Sequence, residues 1–121
     1  MPFRKILDEL VHERDDMLGA LFIDESGEIV HEVDGAGGRL DLRLVGAWVG
    51  IYLRQLDRIV GSGGLGELKV FQSGNGSHWL SACPLEDGYS LLGLQQSPSL
   101  AAESRRALIE AGDKIIEAVL R

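Results

Sequence analysis

The residues of this chain able to do chemistry are few and poorly spaced for it. Cys83 and His78 pair a thiol with an imidazole, but they lie five residues apart on one predicted strand. Alternation sends such side chains to opposite faces, so they cannot meet directly. Cys83 therefore reads as a small buried residue. His12, His31 and His78 have no Cys, Asp or Glu neighbours at metal-ligand spacing, and Asp24, Glu28 and His31 cluster near a turn without a recognised pattern. No serine stands in a G-x-S-x-G elbow, and the Glu86-Asp87 carboxylate pair falls in a turn. Gly35-x-Gly37 follows a strand and precedes a helix, yet the third glycine of a dinucleotide fingerprint is replaced by Leu40. Gly61 to Gly66 follows a helix and precedes a strand, the wrong order for capturing a phosphate on a helix N-terminus. The expectation is a protein without catalytic residues, metal or cofactor.

With no chemistry to position, the elements must serve binding. The chain has 121 residues, enough for one domain over 1–121 with a real core. A net charge of −7 argues against nonspecific binding to nucleic acid or anionic membrane, which needs a basic excess. A single cysteine excludes an internal disulfide and suits a reducing cytosol. The opening MPFRKILDELVHERDD turns acidic without a long apolar core, so no signal peptide is expected. The longest near-apolar run, Leu44 to Leu53, is about half a membrane span. A cytoplasmic location without membrane insertion is expected.

Helical spacing of Phe3, Leu7, Leu10 and Val11 predicts a helix over 3–14. Leu18 to Ile23 is an unbroken apolar run, as in a strand covered on both faces. Asp24 to Gly27 turns the chain into a second strand, Glu28 to Val33. A long helix follows over Asp41 to Val60, with Asp41 as N-cap. Glu67 to Gln72 alternates, with Glu67 and Lys69 on one side, and reads as an exposed or edge strand. Gly74-Asn75-Gly76 is a hairpin turn before His78 to Cys83, and Leu85 to Gly88 turns into Tyr89 to Gln95. Ser97-Pro98 opens a last helix whose buried side carries Leu100, Ala107, Leu108, Ala111, Ile115 and Val119. The order αββαβββα predicts an α+β fold, a five-stranded antiparallel sheet with helices on both faces.

The long helix is apolar on more than one stripe. Val45, Trp48, Tyr52, Leu56 and Ile59 make a broad side suited to covering the sheet. Beside it runs a seam of Gly46, Val49, Gly50, Leu53 and Asp57, expected to meet a second copy of the helix. Each interior glycine costs about 1 kcal/mol relative to alanine, and small residues four apart let another backbone approach. Crossing near Gly50 would set Arg43 of one copy opposite Asp57 of the other. The third side holds Arg43, Ala47, Arg54 and Arg58, a basic local exception in an acidic chain, expected to dock an acidic partner.

The segments FRKILDELV, GALFIDESGEIV, LRLVGAWVGIYLRQL and PLEDGYSLLGL, in this order, resemble the roadblock family of dynein light chains and of bacterial and archaeal regulators of Ras-like GTPases. The resemblance spans residues 3–120. It implies a profilin-like fold with one long helix on one sheet face and the two terminal helices on the other. It further implies a homodimer in which long helices pack and third strands join, adding Lys69, Val70 and Phe71 to the interface. The implied function is non-catalytic regulation or scaffolding of a small Ras-like GTPase. Alternatives are a structural adaptor in a multiprotein complex, which could pair with a paralogue, and a small-ligand sensor.

Overall fold

The computed structural model describes residues 2–12, 17–35, 37–38, 40–74, 78–96 and 101–120. Helix α1, Pro2–His12, leads to strands β1, Met17–Ile23, and β2, Ile29–Asp34. Helix α2, Leu42–Ser62, precedes β3, Phe71–Gly74, and β4, His78–Pro84. A short 3₁₀ turn, Glu86–Gly88, leads to β5, Ser90–Gln96, and helix α3, Ala101–Ile115, continues into a π-helical turn over Ile116–Leu120. The expected hairpin residues Asn75 and Gly76, the Ser97-Pro98 helix start and Leu100 lie outside the described residues, as does the Val119 side chain.

The strands form one sheet in the order β2-β1-β5-β4-β3, every neighbour antiparallel. This is the expected α+β, profilin-like architecture. β1 is buried along its whole length because it lies inside the sheet and both its faces are covered. Phe22 opposite Leu91 points into a core with Phe3 and Leu7 of α1 and Leu108 and Ile115 of α3. Leu21 opposite Leu92 points the other way, into a core with Leu42 and Leu53 of α2. Phe22 lies between Phe3 and Tyr89, with ring centroids 5.4 Å from each.

The β1–β2 turn is held by Asp24, whose carboxylate accepts from the Ser26 N–H at 2.9 Å, the Ser26 hydroxyl at 2.8 Å and the Glu28 N–H at 2.9 Å. The Ser26 hydroxyl, followed by the backbone donors, holds this carboxyl below its ordinary pKa. Gly27 takes φ +88°, the left-handed conformation the turn demands.

The third strand departs from its expected span of Glu67 to Gln72. It pairs with β4 only over Phe71–Gly74, Phe71 facing Ala82. Continuing that register would set Lys69 opposite Pro84, which has no N–H to offer. The Lys69 carbonyl instead accepts from the Cys83 thiol at 3.1 Å. The strand is an edge, as expected.

Burial first, and the Asp113 charge second, push the Cys83 thiol up to about 11. The thiolate is the reactive form, so at pH 8 only about one molecule in a thousand carries it. Native protein is expected to react with a thiol-specific chromogenic disulfide far more slowly than unfolded protein, with reaction following opening of the fold.

Candidate functional site: the outer side of the central helix

Helix α2 starts where the Asp41 carboxylate accepts the Leu44 N–H at 3.1 Å, and it stops at the Gly63-Gly64 pair, Gly64 at φ +74°. Between these points an unbroken stripe of Leu42, Gly46, Val49, Leu53, Leu56 and Val60 repeats at alternating steps of four and three. That stripe covers the sheet. Leu42, Gly46 and Leu53 are its buried residues, and Leu42, Val49 and Leu53 pack with Leu21, Ile23 and Leu92.

The expected assignment of the helix sides is thereby corrected. Trp48, Tyr52 and Ile59, expected to cover the sheet, are 55%, 55% and 64% exposed. Of the expected dimer seam, Gly46 and Leu53 face the chain's own sheet, with Val49 half-buried beside them, and Gly50 is buried at the edge of that contact. The physical reason is space. A Cβ on Gly46 would come within 2.8 Å of Leu21 Cδ1, so the helix approaches the sheet through its small residues. Asp57 is exposed, by Glu67, Leu68 and Lys69 around a cavity of about 510 Å³. Lys69 is exposed and pairs with Glu67 at 3.1 Å, while Val70 and Phe71 are half-buried.

Gly50 differs from Gly46, since a Cβ there meets nothing within 4 Å. Gly50→Ala is expected to stabilise the protein by up to about 1 kcal/mol through helix propensity, read by chemical denaturation, and to leave self-association unchanged. A glycine-packed helix pair would be broken by the same change.

The outer side carries Leu44, Trp48, Ile51, Tyr52 and Ile59, all exposed, with the Trp48 and Tyr52 rings stacked at 6.4 Å. Leu44 and Ile51 were not among the expected interface residues. The signal that could have found them is the unbroken stripe opposite, which leaves these positions with nothing in this chain to cover. Five large apolar residues exposed on one helix exceed what scattered surface hydrophobics account for.

All four expected partner-binding residues are exposed along the flank of this side. Arg43 donates to the Glu32 carboxylate at 3.0 Å. Arg54 donates to the carbonyls of Gly50 and Glu25, each at 3.3 Å, and so ties the helix to the β1–β2 turn. Among the described residues Arg58 has no hydrogen-bond or ion-pair partner, and Ala47 lies among the three without bulk. The arrangement is an apolar strip bordered by cations.

Among the described residues no group of three or more His, Cys, Asp or Glu is placed to hold a metal ion, and no helix is long and apolar enough to cross a membrane.

An exposed apolar helix over a five-stranded antiparallel sheet, with two terminal helices behind it, is the architecture of roadblock-type domains, and the chain has that fold. Among solved structures it is similar to Myxococcus xanthus MglB, with a TM-score of 0.83 at 11% identity over 95% of this chain and 92% of that one. It is similar to a Roadblock/LC7 domain from Streptomyces avermitilis, with a TM-score of 0.79 at 16% identity over 97% of both chains. LokiProfilin1, solved in a complex with rabbit actin, superposes with a TM-score of 0.62 at 12% identity over 97% of this chain and 96% of that one. No protein-family model matches the sequence, and the comparison with curated proteins finds no match.

Proposed function

We propose that this chain is a non-catalytic roadblock-type regulator or scaffold of a small Ras-like GTPase, working in the cytoplasm as a homodimer paired through the outer side of α2. The observation that carries the dimer is the symmetry of the exposed strip. About the midpoint between Ile51 and Tyr52, Leu44 mirrors Ile59 and Trp48 mirrors Gln55. An isologous contact needs a self-complementary patch, and two antiparallel copies of this strip supply one, with Ile51 and Tyr52 flanking the two-fold axis. The register replaces a crossing at Gly50. The edge strand β3 fits the same assembly, because an unpaired edge beside an apolar helix suits pairing with another copy over Phe71–Gly74.

The GTPase is supported by the roadblock likeness in sequence and fold and by the arginines beside the strip. In that reading the hydrolytic groups belong to the GTPase, and the dimer braces its mobile switch segments. Among the described residues Arg58 has no competing partner, so it is the cation most available to an acidic surface.

The test is co-purification with a Ras-like GTPase, followed by hydrolysis measured with and without this protein. Arg58→Glu is expected to weaken capture by about tenfold or more while leaving folding intact. Equal capture by the wild type and Arg58→Glu would remove the arginine flank from the partner site. Failure to bind any Ras-like GTPase would remove the functional reading itself.

A further inference from the structure

The opposite face of the molecule carries a second unassigned feature. Helices α1 and α3 lie side by side over the sheet, and a groove of about 900 Å³ opens between them. It continues into a smaller cleft that shares Ile6, Glu9 and Lys114 with it. The furrow exists because α3 presents alanines at 107 and 111, and the turn after it Ala118, where larger side chains would close it. From Ala107 to Ala118 it runs about 16 Å at 1.5 Å per residue, three turns of a helix.

Its apolar lining is Ile6, Ile116 and Ala118, continued by Leu10, Ala107 and Ala111 in the cleft. Its rim is acidic. Glu9, Glu110, Asp113 and Glu117 border it against two lysines, Lys5 and Lys114. Lys5 is engaged by Glu9 at 4.0 Å, and among the described residues Glu110, Asp113 and Glu117 have no ion-pair partner.

We infer that the α1–α3 groove is a docking site for a basic amphipathic helix of another protein, seated with its apolar stripe on Ile6 and Ile116 and its lysines or arginines against the acidic rim. Helix-in-groove recognition has these two requirements, an apolar furrow of helical length and a rim of complementary charge. An acidic helix would face carboxylates without ion-pair partners among the described residues, and a second copy docked groove to groove would set one acidic rim against the other. The groove and the outer side of α2 lie on opposite faces of the sheet, so both can be occupied at once, and the inference stands without the GTPase.

The experiment records amide chemical shifts of the full chain while two synthetic amphipathic peptides of about five turns are added. They share one apolar face and differ in carrying lysine and arginine or glutamate on the other. The basic peptide is expected to shift the amides of Ile6, Glu9 and Ile116 with saturable binding that weakens as salt is raised. The combined Glu110→Lys, Asp113→Lys and Glu117→Lys variant, folded by circular dichroism, is expected to lose at least about tenfold in affinity. A milder variant with glutamines at 110 and 117 and asparagine at 113 keeps the test valid if the lysine form does not fold. Equal binding of both peptides, no binding of either, or shifts confined to α2 would overturn the inference. So would shifts of the groove residues that depend on protein concentration without peptide, which would assign the groove to a second copy.

Discussion

Trp48→Asp is expected to turn the protein into a folded monomer. The indole is 55% exposed and stacked on Tyr52, outside both cores of the described residues. In an antiparallel pair each copy lays its Trp48 beside Gln55 of the other, so the change acts twice at one interface. Burying a large apolar side chain contributes roughly 1.5–3 kcal/mol. Removing two such contributions and adding two desolvated carboxylates weakens association by well over a hundredfold. Because the residue packs on no core of its own chain, far-ultraviolet circular dichroism of the variant should match the wild type. Sedimentation equilibrium at micromolar concentration reads the outcome. A variant that unfolds instead would place Trp48 in the core.

Leu53→Ala is expected to do the reverse. Leu53 is 3% exposed and sits with Leu21, Ile23 and Leu92 between α2 and the sheet. Truncating a buried leucine costs about 2–5 kcal/mol, through lost burial and the cavity left behind. That is a large share of the roughly 5–15 kcal/mol by which a domain is stable. Chemical denaturation should show a midpoint markedly lower than that of the wild type. If Leu53 were an interface residue of an otherwise intact monomer, the change would lower association and leave the monomer's stability nearly untouched. The pair of variants therefore distinguishes the two sides of one helix.

These two residues also mark where the sequence stopped being legible. The order of elements and the apolar character of β1 followed from periodicity, because a period of two or of 3.6 is written in the residues themselves. The N-cap at Asp41 followed from local hydrogen-bond chemistry. The face α2 presents to the sheet did not follow, since both stripes of that helix are apolar and a helical wheel gives period without phase. The broader apolar side reads as the one that covers the sheet, and Trp48 and Tyr52 belong to it. The sheet decides otherwise, because Leu21 already occupies the space a side chain at Gly46 would need. The limits of β3 were hidden for a similar reason. They depend on Pro84, which faces that strand from a different one.

The arginine flank was legible as a set of positions but not as a set of available charges. Arg43 and Arg54 are engaged by Glu32 and by the Glu25 carbonyl, contacts that join residues far apart in sequence. Only the folded chain distinguishes Arg58 from them.

The pairing of two α2 helices through their outer sides is tested most directly by Ile51→Cys under mild oxidation. In the antiparallel register Ile51 lies beside its own copy at the two-fold axis. Helices in contact run about 8–10 Å apart with Cα atoms about 2.3 Å off each axis, which brings facing Cα atoms within the roughly 4.4–6.8 Å a disulfide spans. Cys83 is buried and adds little background. The account predicts a disulfide-linked dimer on a non-reducing gel, lost when Trp48→Asp is added. Ile51→Cys protein that stays monomeric on that gel, while remaining folded and oxidisable by a small disulfide, would contradict it.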